Sequence, residues 1–244
     1  MRNTRIYTEQ ALQSRASFVL APEPSRHIAR SLRMEVGAAL TLFDGSGGEY
    51  PAIIDAIDKK HVTVTTGEHD AVERESVLDV HLGIALSRGD RFDWVIQKAT
   101  ELGVRRITPL DTEHTGVRLK GDRLEKKLGH WQQVAVSACE QCGRNRLPAI
   151  GNVTSVTEWL GTINAELSLV LHHRAADAPA LPDTAKDIAL LIGPEGGLSA
   201  SEIAAAEDAG FNALSLGPRV LRTETAPLAA LALLQARWGD MQLP

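Results

Sequence analysis

Three short segments hold most of the residues able to do chemistry, and each directly follows an apolar run. Leu171-His172-His173-Arg174 follows the run that begins at Leu167. Gly193-Pro194-Glu195-Gly196-Gly197 follows Leu190-Leu191-Ile192, and Gly217-Pro218-Arg219-Val220-Leu221-Arg222-Thr223-Glu224-Thr225-Ala226 follows Leu214-Ser215-Leu216. Glycine has no Cβ, so Gly193, Gly196, Gly197 and Gly217 let main-chain N–H and C=O groups approach a flat polar ligand closely. Tight packing of the loops alone is the competing reason for the same glycines. Their spacing fits neither GxGxxG nor GxxxxGK[ST], so neither a dinucleotide fold nor a P-loop is signalled. Adjacent histidines such as His172 and His173 rarely share an ion and no Cys/Asp cluster supports them, so no metal is expected. Cys139 and Cys142 have CxxC spacing but no second pair, which supports neither zinc nor a disulfide framework.

If the runs are strands, the three segments share one edge, because ligands of open α/β sheets bind beyond the carboxyl ends of the strands. The rest of the chain supports that arrangement. Alternating strands and helices are predicted from Val80 onward: strands at Val80–Leu86, Arg106–Leu110, Leu167–Leu171, Ile188–Ile192 and Ala213–Leu216; helices at Arg91–Leu102, Leu124–Cys142, Ser199–Ala209 and Thr225–Trp238. Ser199 with Glu202 three residues on reads as a capping box, and Gly210 as the stop. The pattern is that of an α/β domain with a mainly parallel sheet. Residues before about 70 read instead as short strands, including Thr41–Phe43, Tyr50–Ile57 and His61–Thr65, with a Gly-rich turn at Asp44–Gly48. One helix interrupts them, started by Pro24-Ser25, with Ile28, Leu32 and Ala29 as its apolar side. The polar stretch 66–78 is taken as the linker, giving domains 1–72 and 73–244.

The chain has 244 residues, 43% hydrophobic and 23% charged, as ordinary globular proteins do. No apolar run approaches the roughly 18 residues of a membrane span, and the polar, basic start lacks a signal core, so a cytoplasmic protein is expected. The net charge of −5 is unevenly spread. Residues 1–34 carry +4, 35–78 −6, 79–150 +3 and 151–244 −6. Two basic segments in an acidic chain suit contact with an anionic polymer on one face, although arginine-rich helices are also simply solvated surfaces.

The three segments, taken with their neighbours, resemble one family. Ile192–Ser199 with Glu202 is similar to the IGPEGGxSxxE signature of RsmE-type 16S rRNA (uracil-N3)-methyltransferases, and Leu216–Ala226 to their LGxRxLRxETA signature. Further blocks agree in order along the whole chain: Arg5–Tyr7, His27–Met34, Ile96–Val104 and Ala138–Pro148. The resemblance implies a SPOUT fold with a trefoil knot, preceded by a small β-rich, PUA-like domain that helps grip RNA. It implies S-adenosyl-L-methionine (AdoMet) as cofactor, a homodimer, and 16S rRNA in the small ribosomal subunit as substrate. The last helix, apolar nearly all round at Pro227–Leu234, independently asks for burial on more than one side.

The residues carried over for AdoMet are Leu171, His172, Gly193, Glu195, Gly196, Gly197, Leu216, Gly217, Leu221, Arg222, Thr225 and Ala226. For catalysis, Arg222 is the expected stabiliser of charge on a deprotonated uracil, with Glu224 or Glu195 taking the proton or orienting Arg222. An ion pair that only braces the loop is the other use for Arg222. Arg2, Arg5, Arg26, Arg30, Arg33, Arg144 and Arg146 are the expected RNA contacts. Three rivals stay open on sequence: ribose 2′-O-methylation on the same fold, an inactive RNA-binding assembly factor, and a small-molecule α/β enzyme.

Overall fold

The computed structural model describes residues 4–58, 61–172 and 181–241. It divides the chain into two compact units, Met1–Glu75 with Val136–Leu147, and Ser76–Ala135 with Pro148–Pro244.

In the first unit, strands β1 (Arg5–Tyr7), β2 (Ser17–Val19), β3 (Ala39–Phe43), β4 (Tyr50–Ile57) and β5 (Val62–Thr66) form a sheet of order β1-β3-β4-β5-β2. Only the β1–β3 pair is parallel. β5 alternates buried and half-buried residues, as its Val-Thr repeat requires. Ile6, Leu40, Leu42, Ile54, Val62 and Val64 form the core. The turn before β4 needs glycine: Gly45, Gly47 and Gly48 all have positive φ, and a Cβ on Gly48 would lie 2.6 Å from the Asp70 carbonyl oxygen. The expected helix is two pieces, α1 (Pro22–Arg26) running into a π-helical turn over His27–Leu32. Ile28 is fully buried as expected, but Leu32 is 41% exposed. The wider i→i+5 turn rotates Leu32 off the apolar face, and Met34 packs on the core instead.

This unit is stitched together by charge. Arg5 pairs with Glu49 and donates to Asn145 Oδ1 at 2.6 Å and to the Arg144 carbonyl at 3.1 Å. Arg144 Nε and Nη2 grip the Glu75 carboxylate at 3.0 and 2.7 Å, with side chains only 4% and 8% exposed. Asn145 Nδ2 donates to the Val72 carbonyl at 2.7 Å.

In the second unit, β6 (Asp79–Ala85), β7 (Arg106–Asp111), β8 (Ala149–Ile150), β9 (Thr154–Ser155), β10 (Leu167–Leu171), β11 (Asp187–Ile192) and β12 (Asn212–Leu214) form one sheet. Its order is β12-β10-β11-β6-β7-β8, with β9 also on β7, and every pair is parallel. The central strands are buried along almost their whole length, the mark of a sheet covered on both faces. Its helices are α2 (Arg91–Glu101), α3 (Gly121–Cys142), α4 (Val156–Leu160), α5 (Ala200–Asp208) and α6 (Thr225–Trp238); the last turns of α3 belong to the first unit. The capping box at Ser199 and Glu202 is present, and Ser155 with Glu158 forms a second one. Gln235, fully buried on α6, accepts from Ser76 Oγ at 2.6 Å and donates to the Leu102 carbonyl at 2.9 Å, tying α6 to the end of α2.

The Arg144–Glu75 pair generates a stability prediction. Arg144→Ala leaves a buried carboxylate without its cation, which costs about 3–5 kcal/mol. Denaturant unfolding of the variant reads this directly, and an unchanged midpoint would show that the pair holds nothing together.

Candidate functional site

A cleft of about 800 Å³ opens beyond the carboxyl ends of β10, β11 and β12. Each expected segment supplies a wall because each leaves a strand of the same parallel sheet at the same edge. His172 continues β10, and its N–H donates to the Leu214 carbonyl at 3.0 Å, joining the first segment to β12. The second segment folds on itself. Gly197 N–H donates to the Pro194 carbonyl at 2.8 Å, Gly197 has φ +74°, and a Cβ on Gly193 would lie 2.9 Å from the Leu198 amide nitrogen. Gly193 and Gly197 are thus required by the turn itself. The third segment ends where the Arg222 carbonyl accepts the Thr225 and Ala226 amides at 2.9 Å, which starts α6.

Of the twelve residues expected at the cofactor, eleven line the cleft; Thr225 is displaced from the wall because it opens α6. Arg222 lines the cleft, exposed, with no ion pair among the described residues. The ion pair with Glu195 or Glu224, the other use considered for Arg222, is made by another residue. Arg91, at the start of α2, donates from Nη1 to Glu195 Oε1 at 2.8 Å and places Nε 4.0 Å from Glu224 Oε2. That Glu224 oxygen is buried and has no hydrogen-bond partner. Of the two carboxylates considered for proton transfer, Glu195 accepts a hydrogen bond from Arg91 and Glu224 Oε2 accepts none. His114 also lines the cleft, with Nδ1 3.0 Å from the Gly197 carbonyl.

Sequence reasoning placed Arg91 at a helix start and no further, and it passed over His114. The available signal was position: both follow strands, β6 and β7, of the sheet whose other loops had been singled out.

The expected RNA contacts divide. Arg26, Arg30 and Arg33 are exposed on the helical segment of the first unit and make no ion pair among the described residues. Arg146 is 45% exposed, with Nε 3.4 Å from Glu73. Arg5 and Arg144 differ from these: their guanidinium groups pair with Glu49, Asn145 and Glu75 inside the unit, and their side chains are largely buried. Arg2, His173 and Arg174 lie outside the described residues. Burial pushes the Cys139 thiol up to about 12, so it stays protonated, and its Sγ–H faces the Arg146 carbonyl.

Known proteins share this architecture. Residues 74–235 match the family described as RNA methyltransferase domain, and residues 21–66 the one described as RNA methyltransferase PUA domain. The chain is 42% identical to a methyltransferase from Legionella pneumophila solved with the bound cofactor SAM, at a TM-score of 0.95 over 99% of this chain and 100% of that one. It is 35% identical, with a TM-score of 0.92 and the same coverage, to the ribosomal RNA small subunit methyltransferase E of Neisseria gonorrhoeae bound to S-adenosyl methionine. The enzyme of that name from Bacillus subtilis is 30% identical over 93% of each chain. With both of its units matched in order and its cleft walls intact, this chain belongs to the ribosomal RNA small subunit methyltransferase E family.

Proposed function

We propose that this protein methylates N3 of a uridine in the RNA of the small ribosomal subunit, with AdoMet as methyl donor. The observation that carries the reading is a single cleft that joins a glycine-built wall to an arginine with no ion pair among the described residues and a carboxylate oxygen with no hydrogen bond. The residues fit AdoMet. The volume is that of a cofactor site. Gly193 and Gly196 form a cradle that a Cβ would crowd, Gly197 holds its turn at φ +74°, and Leu171, Leu216 and Leu221 give the cradle apolar sides. When bound, AdoMet supplies an electrophilic methyl group. The trefoil knot implied by the family likeness fits a sheet in which β10 is flanked by β11 and β12, both later in the chain.

The chain's own residues then have the harder task, since uracil N3 carries a proton and is a poor nucleophile until that proton leaves. Glu224 accepts it. The negative charge left behind spreads onto the two flanking carbonyl oxygens, and Arg222, which no carboxylate among the described residues holds, stabilises it there. This assignment favours base over ribose methylation, because a 2′-oxygen would spread no charge onto a second atom. Arg26, Arg30 and Arg33 supply a contact strip for RNA phosphates on the first unit. A homodimer is the proposed assembly: α6 buries Ala230, Leu231 and Leu234 but leaves Leu233 59% exposed, and Trp94 on the neighbouring α2 is 43% exposed. A location in the cytoplasm accords with that substrate, and no helix among the described residues is long and apolar enough to cross a membrane.

Three measurements test these assignments. Labelled methyl from AdoMet, offered to small subunits lacking the modification, appears as 3-methyluridine on nucleoside analysis; label in ribose would overturn the choice of atom. In the same assay Arg222→Ala cuts turnover about 100-fold or more while folding is kept, and near-normal turnover removes Arg222 from the mechanism. Neutralising Arg26, Arg30 and Arg33 together flattens the salt dependence of RNA affinity by about 0.7 per lost single-strand contact, and an unchanged slope discards the strip. For the assembly, sedimentation equilibrium gives twice the chain mass, and a monomer at micromolar concentration excludes the dimer.

A further inference from the structure

We infer that Arg91 is a positioning residue for the reaction, acting through Glu224. The inference rests on the reading of Glu224 as proton acceptor, and adds to it a residue that neither the cleft's signatures nor the family likeness singles out.

Arg91 stands where helix physics disfavours it. As the first residue of α2 it puts a cation at the positive end of the helix dipole, next to an Asp90 cap that makes no side-chain hydrogen bond. A residue that breaks a local rule marks a site with another demand on it. Stability is not that demand, because Arg91 and Glu195 are each 43% exposed and exposed ion pairs contribute little. What Arg91 does reach is the cleft, where its Nη1 holds Glu195 at 2.8 Å and its Nε lies 4.0 Å from Glu224 Oε2.

That second distance is too long for a hydrogen bond and short enough for strong attraction. Glu224 thus keeps its Oε2 without a hydrogen bond while a fixed cation stands 4.0 Å away and orients the carboxylate. The other charged or titratable groups lining the cleft are His114 after β7, His172 after β10, Glu195 in the second segment, and Arg219 and Arg222 in the third. Glu195 would repel the charge on Glu224, and its pairing with Arg91 offsets that repulsion. Arg91 therefore acts on Glu224 directly, through charge, and indirectly, by engaging its like-charged neighbour.

The test is a mutant cycle read by turnover, with full-length protein, saturating AdoMet and small subunits lacking the methyl group. Arg91→Ala lowers kcat about 10-fold or more, a fraction of what a positioned base contributes. Arg91→Lys, which keeps the cation, restores most of the turnover. Once Glu224 is replaced by Gln, Arg91→Ala costs nothing further. Thermal unfolding of each variant separates loss of fold from loss of chemistry. An equal loss with and without Glu224, or no rescue by Arg91→Lys, overturns the inference. So does non-additivity with Glu195→Gln alone, which would make Arg91 a brace for the second loop. If Glu224→Gln turns over normally, the reading of Glu224 fails with it; if Glu224→Gln is impaired and Arg91→Ala is not, only the role of Arg91 fails.

Discussion

Every strand pair in the larger sheet is parallel, and that one constraint organises the catalytic unit. Parallel strands all end on the same side, so each return loop must cross to the other edge while each outgoing loop stays at this one. Segments separated by some 130 residues in the chain, from Arg91 to Glu224, are delivered to a common rim without any local signal between them. The burial that makes such a sheet stable also explains its near-continuous apolar strands, Asp187-Ile188-Ala189-Leu190-Leu191-Ile192 among them. The site is thus a by-product of topology, and its chemistry is a matter of what the rim loops carry.

Charge is used differently in the two units. In the first, arginines are spent on structure: Arg5 and Arg144 bind carboxylates and carbonyls at hydrogen-bond distance and are largely removed from solvent. Such groups are costly to bury and costlier to leave unpaired. In the cleft, Arg222 makes no ion pair among the described residues and Glu224 Oε2 accepts no hydrogen bond, a condition tolerated where a ligand is to complete the pairing. The contrast between satisfied and unsatisfied charge separates residues that hold the fold from residues available for binding, although both kinds lie within sequence blocks of equal likeness to the family.

Much of this was legible in the sequence where the determinants are local. The capping box of α5 needs only Ser199 and Glu202, three residues apart, and both bonds are present. The apolar runs at Leu167 and Ile188 needed no more than their composition, and they placed the loops that line the cleft. What escaped the sequence depends on distant partners. Arg144 looked like a surface cation because Glu75, 69 residues away, cannot be matched to it by pattern. Arg91 meets Glu195 across 104 residues. The π-turn at His27–Leu32 is a one-residue change in hydrogen-bond register that periodicity cannot see, and it misplaced Leu32. Strands of two residues, β8 and β9, carry no period at all.

The Gly193 turn has a consequence for how such a cleft changes over time. A wall made of main chain is indifferent to most side-chain replacement, yet its first step toward any other residue is closed, since even a methyl group at Gly193 meets the Leu198 amide at 2.9 Å. Variation is thereby channelled away from the glycine wall and toward the rim, where Arg219 and Val220 are exposed. A cleft built in this way can drift in what its rim admits while the shape of its glycine wall stays fixed.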